Sequence, residues 1–441
     1  MSIEQQTQQS KDMTGSGVYT MSDSLDTGGF KEITQCRISG STHLISVLNL
    51  GEQCLTGIFP RDPIQPITSG PLELVWCPDS GLLQLKHSYN LSEMYGDDYG
   101  YRSGLNSSMV AHLRGKVRGL ERQYRLMRDD WVLDIGSNDG TLLNAYSSPG
   151  IRRLGVDPTA AKFRNFYNPE IEVATEFFSA DRFLQCSNGR QAKIITSVAM
   201  FYDLEDPNAF VRDIGRALDS DGIWHFEQSY MPSMLRTNAY DTVCHEHLEY
   251  YSLRVIRDLL LRNGMRIINV QMNSVNGGSI AVSACHDKSS ITSAHPIINW
   301  MLLQEDRWEL NSPKPYRQFE DQVFKHRTDL QRLIQTLVAN GKLVLGYGAS
   351  TKGNVLLQFC QFGPQHIPAI AEVNTEKFGT YTPGTLIPII SEEEARAMRP
   401  DYFLVLPWHF KSAILQREAD YLASGGKIIF PLPEIEIVGD L

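Results

Sequence analysis

Cysteine, positive charge and long apolar runs are all scarce in this chain. It has 7 cysteines in 441 residues, an odd number scattered from Cys36 to Cys360. That is too sparse for a disulfide framework, so reduced thiols and a cytoplasmic setting are expected. No stretch of about 18 apolar residues occurs, and no basic segment leads into an apolar one at the N-terminus, so neither a membrane span nor a secretory leader is expected. Lys and Arg number 41 against 51 Asp and Glu, a formal charge of −10. Without a basic stripe, a nucleic-acid partner is not expected. Short-period repeats are missing too, which excludes solenoids.

Hydrophobic residues make up 42% of the chain, enough for folded cores, and the length suggests about three domains. Residues 1–29 are rich in Ser, Gly, Gln and Thr and read as a mobile tail. Short apolar runs broken by Gly and Pro over 30–95 suggest a small β-rich module. Over 96–287 the pattern changes. A helical spacing through Met109, Leu113, Val117 and Leu120 leads into WVLDIGSNDG, after which apolar runs alternate with helical stretches. That alternation predicts βαβ units on a doubly wound sheet. A polar helical connection spans 288–340, and a second α/β unit with runs KLVLG, IPAIAE, DYFLVL and KIIF occupies 341–441.

In VLDIGSNDGTLL a strand ends at Ile135 and a tight turn runs through Gly136, Ser137, Asn138, Asp139 and Gly140. Glycines there let a ligand approach backbone amides, which fits dinucleotide, phosphate or nucleoside alike. The phosphate-binding GxGxxG spacing is missing. Asp157 in LGVDP sits where an acid accepts both ribose hydroxyls, and a carboxylate in the first loop suits a cationic amino-acid end better than a pyrophosphate. The residues therefore favour S-adenosylmethionine over NAD. The plainer reading is a βα turn with Asp157 as a helix cap. The donor site is assigned to Asp134, Gly136, Asn138, Gly140, Asp157, Pro158, Ser197 and Met200.

Taken together, DIGSNDGTLL, GVDP, HEHLEYYS from His245, NGGSIAV from Asn276, GYGASTKGN from Gly346 and TPGTLIP from Thr382 resemble the bacterial nucleotide-sugar C-methyltransferases. The resemblance runs from Cys36 to Pro431 in the family's motif order. It implies a class I methyltransferase core, a doubly wound sheet, between a small N-terminal β-rich module and a C-terminal Rossmann-like α/β domain that contacts the nucleotide sugar. It implies S-adenosylmethionine as cofactor. The substrate would be a nucleotide-activated 4-keto-deoxysugar, expected on thymidine diphosphate, and the product a branched deoxysugar; monomer and homodimer both stay open.

Relatives usually carry two C-x-x-C pairs for a structural zinc. This chain reads Cys36-Arg37-Ile38-Ser39 and Cys77-Pro78-Asp79-Ser80. A serine hydroxyl is a poor zinc ligand, so zinc is not favoured unless His43 or Cys54 joins the pairs.

Methylation beside a ketone needs a base for the α-proton and groups that hold the enolate. The resemblance gives the base to His247, with Glu246 to orient it or share its proton. His245 completes the titratable cluster, and His245 with His247 also has two-ligand metal spacing. Relatives have a tyrosine where this chain has Cys244. Enolate support is therefore expected from Tyr101 and Tyr202. Arg102, Ser103, Asn276 and Gly278 are expected at the sugar, and Ser350 and Lys352 at phosphate oxygens. GYGAS also approximates the opening of a dinucleotide fingerprint, with Glu372 as the only acid to mark a ribose. The alternative is thus a keto-sugar reductase, or a bifunctional enzyme, that uses NADPH. A third reading is a binding subunit with a degenerate core.

Overall fold

The computed structural model describes residues 29–94 and 102–439. The expected tail therefore lies, apart from Gly29, outside the described residues. Strands β1 (Phe30–Glu32), β2 (Ile45–Cys54), β3 (Ser69–Trp76), β4 (Leu83–Leu85) and β5 (His87–Tyr89) build the N-terminal module. β2, β3 and β4 pair antiparallel in sequence, and β1 pairs with β5.

The helix Ser107–Gln123 follows. Asn106 caps it by accepting from the amides of Ser108 and Met109, and it buries Leu113, Val117 and Leu120 on one face. The core strands are β6 (Trp131–Ile135), β7 (Arg152–Val156), β8 (Glu172–Ala174), β9 (Ala192–Val198) and β10 (Leu218–Ser229). All five residues of β6 are buried, as expected of a central parallel strand covered on both faces. After β10 the chain leaves the sheet, and β11 (Glu249–Tyr250) joins the N-terminal module by pairing with β4. It returns through the helix Leu253–Arg262 to β12 (Met265–Asn273) and β13 (Ser279–His286).

The core sheet runs β12-β13-β10-β9-β6-β7-β8. From β6 to β10 the strands are parallel, and β13 is antiparallel to both neighbours. Counted within the core, the order is 3-2-1-4-5-7-6, the class I methyltransferase arrangement. The strand order reverses between β6 and β9, and ligands of open α/β sheets sit at the carboxyl ends beside such a switch.

Strands β14 (Val344–Tyr347), β15 (Ile370–Glu372), β16 (Ile389–Ser391), β17 (Tyr402–Val405) and β18 (Lys427–Phe430) form a second parallel sheet, edged by antiparallel β19 (Glu436–Val438). The 26-residue helix Lys314–Ala339 buries Tyr316, Phe319, Val323, His326, Leu330 and Ile334, a stripe at helical spacing. That stripe enters one apolar cluster with Leu48 and Trp76 of the module, Tyr240 and Val243 of the core, and Leu345 and Phe403 of the C-terminal sheet. The segment 231–250, which carries the His-Glu-His triplet, is clamped inside that cluster.

Candidate active site

A cavity of about 780 Å³ opens at the carboxyl ends of β6, β7, β9 and β10. Its wall includes Asp134, Gly136, Asn138, Asp157, Pro158 and Met200 from the expected donor site, and Ser103 and Asn276 from the expected sugar site. The volume lies within the usual range for a cofactor-sized ligand. The glycine loop holds its shape for stated reasons. Gly140 has φ +73°, and a Cβ there would lie 2.6 Å from the Tyr167 ring. The Tyr167 hydroxyl shares a hydrogen bond with Ser137 Oγ at 2.8 Å and donates to the Asn138 carbonyl at 2.7 Å. The Asn138 side chain accepts from the Ser103 amide (2.9 Å) and Asp139 from the Gly104 amide (2.8 Å), which ties the loop to the approach of the capped helix.

Asp157 is held by hydrogen bonds from the residues around it, and it precedes a short helix whose N-cap position is Thr159. Its Oδ1 accepts from the amide and hydroxyl of Thr159, a turn two residues on, while Oδ2 accepts the Asn138 amide at 2.8 Å. It still faces the cavity, and each carboxylate oxygen offers two lone pairs. Asp134 is 3% exposed and accepts from Thr196 Oγ1 at 2.5 Å. Burial pushes its carboxyl up to about 7, against the pull of that hydrogen bond.

Two donor-site residues stand behind the wall. Ser197 faces the core, where its hydroxyl accepts from the Trp224 indole at 2.9 Å, because alternate residues of a strand point to opposite faces. Gly140 serves the turn instead of lining the cavity. Arg102 lies over the Phe166 ring, 4.2 Å from its centroid, with Nε 3.9 Å from Asp139. Tyr101 lies outside the described residues.

Sequence reasoning missed Glu227 at the end of β10. It lines the cavity and accepts from His112 Nε2 (2.6 Å), Lys116 Nζ (2.5 Å) and Asn273 Nδ2 (2.8 Å). Burial alone would raise its pKa, but these donors outweigh it and hold the carboxylate at about 2. The i,i+4 spacing of His112 and Lys116 was the available signal.

The triplet divides three ways. The His247 Nδ1 lies 2.8 Å from the Thr242 carbonyl, which makes Nδ1 the protonated nitrogen and leaves a lone pair on Nε2. Its ring meets the edge of Tyr202, with centroids 4.4 Å apart. Burial, then the Lys352 charge, lowers its pKa to about 3. Glu246 points away: its Oε2 is 3.5 Å from Thr56 Oγ1, and a Cβ on Gly57 would come within 2.6 Å of Oε1. The expectation that Glu246 orients His247 is thus corrected, since neighbouring residues diverge and the Thr242 carbonyl does the orienting. His245 is fully enclosed, edge-on to Tyr89 with centroids 4.6 Å apart. Neither His245 nor His247 is part of the wall of the cavity of about 780 Å³; His247 lines a separate small recess with Tyr202, Thr242 and Tyr250, whereas His245 lines neither, so its place in the catalytic set is corrected to packing.

Cys244 is buried beside Glu246, and both desolvation and that carboxylate push the thiol pKa well above its ordinary value. Lys352 Nζ donates to the Asn276 carbonyl at 3.3 Å, and its charge is felt at His247, Asp241 and His409. Ser350 caps the helix Thr351–Phe359 by accepting from the Gly353 amide at 3.0 Å. Gly278, with φ +124°, forms the turn between β12 and β13 over Ser233. Glu372, the acid expected to mark a ribose on the dinucleotide reading, accepts from the amides of Ala349, Val373 and Asn374.

A family model described as a C-methyltransferase C-terminal domain matches residues 274–433. A methyltransferase-domain model matches 113–270, and a zinc-binding-domain model matches 36–95. The chain belongs to the S-adenosylmethionine-dependent C-methyltransferases. It is 30% identical over 411 residues to the C-methyltransferase NovU of Streptomyces niveus, covering 92% of this chain and 97% of that one. Among solved structures it is similar to the mitomycin 7-O-methyltransferase MmcR, with a TM-score of 0.33 and 16% identity over 41% of this chain and 55% of that chain. PigF with SAH gives a TM-score of 0.29 and 16% identity, over 40% and 64% respectively. No helix among the described residues is long and apolar enough to cross a membrane.

Proposed function

We propose that the enzyme methylates the carbon beside the ketone of a nucleotide-activated 4-keto-deoxysugar, with His247 as the enolising base. The observation that carries this reading is the Nδ1 contact of His247 with the Thr242 carbonyl, which presents Nε2 as a proton acceptor. Bound S-adenosylmethionine supplies a methyl group made electrophilic by its sulfonium. Asp134, the Gly136–Asn138 turn and Asp157 hold and orient that donor in the cavity.

His247 removes the α-proton through Nε2, and the positive charge then formed on the ring is opposed mainly by burial and by Lys352. A negative enolate oxygen beside Lys352 offsets that opposition, so the base strengthens as the enolate develops. Lys352 is thereby assigned to the reacting end of the sugar, where Cys244 offers no phenol to help. Tyr202 packs on His247 and fixes its plane. A thymidine-diphosphate 4-keto-deoxysugar incubated in D₂O tests the reading. Wild type should exchange the α-proton; His247→Asn should not, and its turnover should fall by roughly 10²–10⁴ with donor affinity unchanged. Equal exchange by the variant would remove His247 from the role.

A further inference from the structure

We infer that the N-terminal module is a metal-free knuckle, closed by two thiol–hydroxyl hydrogen bonds and a buried arginine where its family model names zinc, and that it is two side-chain atoms away from being a zinc site. The two candidate loops are built alike. In the first, the Gly40 amide donates to the Cys36 carbonyl at 2.8 Å; in the second, the Gly81 amide donates to the Cys77 carbonyl at 2.8 Å. Gly40 and Gly81 have nearly the same positive φ, +71° and +75°, which a glycine adopts without strain. The loops face each other with their side chains crossed in pairs: Cys36 Sγ is 3.2 Å from Ser80 Oγ, and Ser39 Oγ is 3.6 Å from Cys77 Sγ. Four side chains from two matched turns thus converge, as a tetrahedral ion requires.

The donor set does not suit that ion. Zinc takes thiolate, imidazole or carboxylate, and a serine hydroxyl gives up its proton only at a cost far above that of a thiol near neutral pH. The other candidates do not close the gap. His43 is 59% exposed at its side chain and turned toward Asp79. Cys54 lies at the far end of β2, where its amide meets Gln358, and His87 packs on Phe30.

What holds the loops instead is visible. Arg37, between the first cysteine and its serine, is 2% exposed at its side chain. It donates to the Leu85 carbonyl at 2.6 Å and to Ser88 Oγ at 2.8 Å, and its Nε is 3.7 Å from both Glu205 and Glu249. The Ser41 hydroxyl donates to Asp79 Oδ2 at 2.5 Å across the two loops. The two sulfur–oxygen hydrogen bonds and the Ser41–Asp79 bond tie the loops to each other, while Arg37 anchors the first loop to the neighbouring strands through Leu85 and Ser88.

The experiment compares wild type with Ser39→Cys/Ser80→Cys, both purified without added metal and dialysed against a chelator before elemental analysis. Wild type should hold below about a tenth of a zinc per chain, and its melting temperature should not move on adding chelator. The double variant should hold about one zinc per chain and lose it, with a fall in melting temperature, under the same chelator. Cobalt(II) added to the double variant should give thiolate charge-transfer absorption that wild type lacks. Should the variant prove poorly soluble, Cys36→Ser serves in its place: it should keep the wild-type affinity for S-adenosylmethionine. About one tightly held zinc in wild type would overturn the inference. So would unfolding of wild type by chelator, or a soluble double variant that binds neither metal.

Discussion

The indole Nε1 of Trp408 donates to Asp241 Oδ2 at 2.7 Å, joining the C-terminal domain to the segment that carries His247. Asp241 is 2% exposed, and burial raises its pKa above the ordinary carboxylate range. The Trp408 ring also covers Gly277, where an added Cβ would lie 3.3 Å away, so one side chain braces both the base segment and the turn that carries Asn276. Trp408→Phe keeps the ring but not the donor. It should cost about 1–3 kcal/mol of stability by leaving a buried carboxylate short of a partner, read as a lowered denaturation midpoint, with donor affinity unchanged. An unshifted midpoint would mean that the bond contributes nothing.

Asp157→Ala should weaken S-adenosylmethionine binding by about 1–3 kcal/mol, the cost of losing a charged hydrogen-bond partner. The same substitution frees the Asn138 and Thr159 amides, so a small loss of stability should accompany it. Calorimetric titration that gives the wild-type affinity would separate Asp157 from the donor site.

Asp134 should make donor binding depend on pH, on the proposed reading that it holds the donor. With its carboxyl raised to about 7, it is largely neutral at pH 6 and ionised at pH 8, so affinity for a cationic ligand should rise between them. Stability runs the other way. A carboxyl whose folded pKa exceeds its unfolded value of about 3.9 stabilises the protein fully below that value and loses this contribution as pH rises toward 7. Asp134→Asn should therefore flatten the affinity profile and raise the melting temperature at pH 8 but not at pH 4. Calorimetry and thermal melts at three pH values check both signs.

Lys352→Met should divide its effect in a telling way. If its ammonium serves the enolate, kcat should fall by roughly 10²-fold while KM for the nucleotide sugar stays within a few-fold. The rate of α-deuterium exchange should fall in parallel. A variant whose KM rises with kcat intact would return Lys352 to the phosphate oxygens.

Much of the architecture was legible because it follows from local pattern. The buried run WVLDI, the glycine turn after it and the alternation of strands with helices each depend on residues close in sequence, and from these the parallel core and the glycine turn at its cavity could be read. The pairing of Cys36 and Cys77 with serines was visible as chemistry in the letters themselves. What the letters withheld was direction. Neighbouring residues of an extended segment diverge, so the expectation that Glu246 and His245 would work beside His247 gave way to packing that sent one ring against Tyr89, one carboxylate to Thr56 and one imidazole to the Thr242 carbonyl. Glu227 was silent for a related reason: its partners His112 and Lys116 lie more than 100 positions away along the chain and meet it only across the folded core. Lys352 reaches Asn276 across 76 positions. The sequence by itself determined the elements, the glycine turn after β6 and the poor ligand set of the knuckle, because short-range backbone preference and side-chain chemistry decide those. Tertiary structure decided which of the titratable groups face one another, because burial and charge act through space and not along the chain.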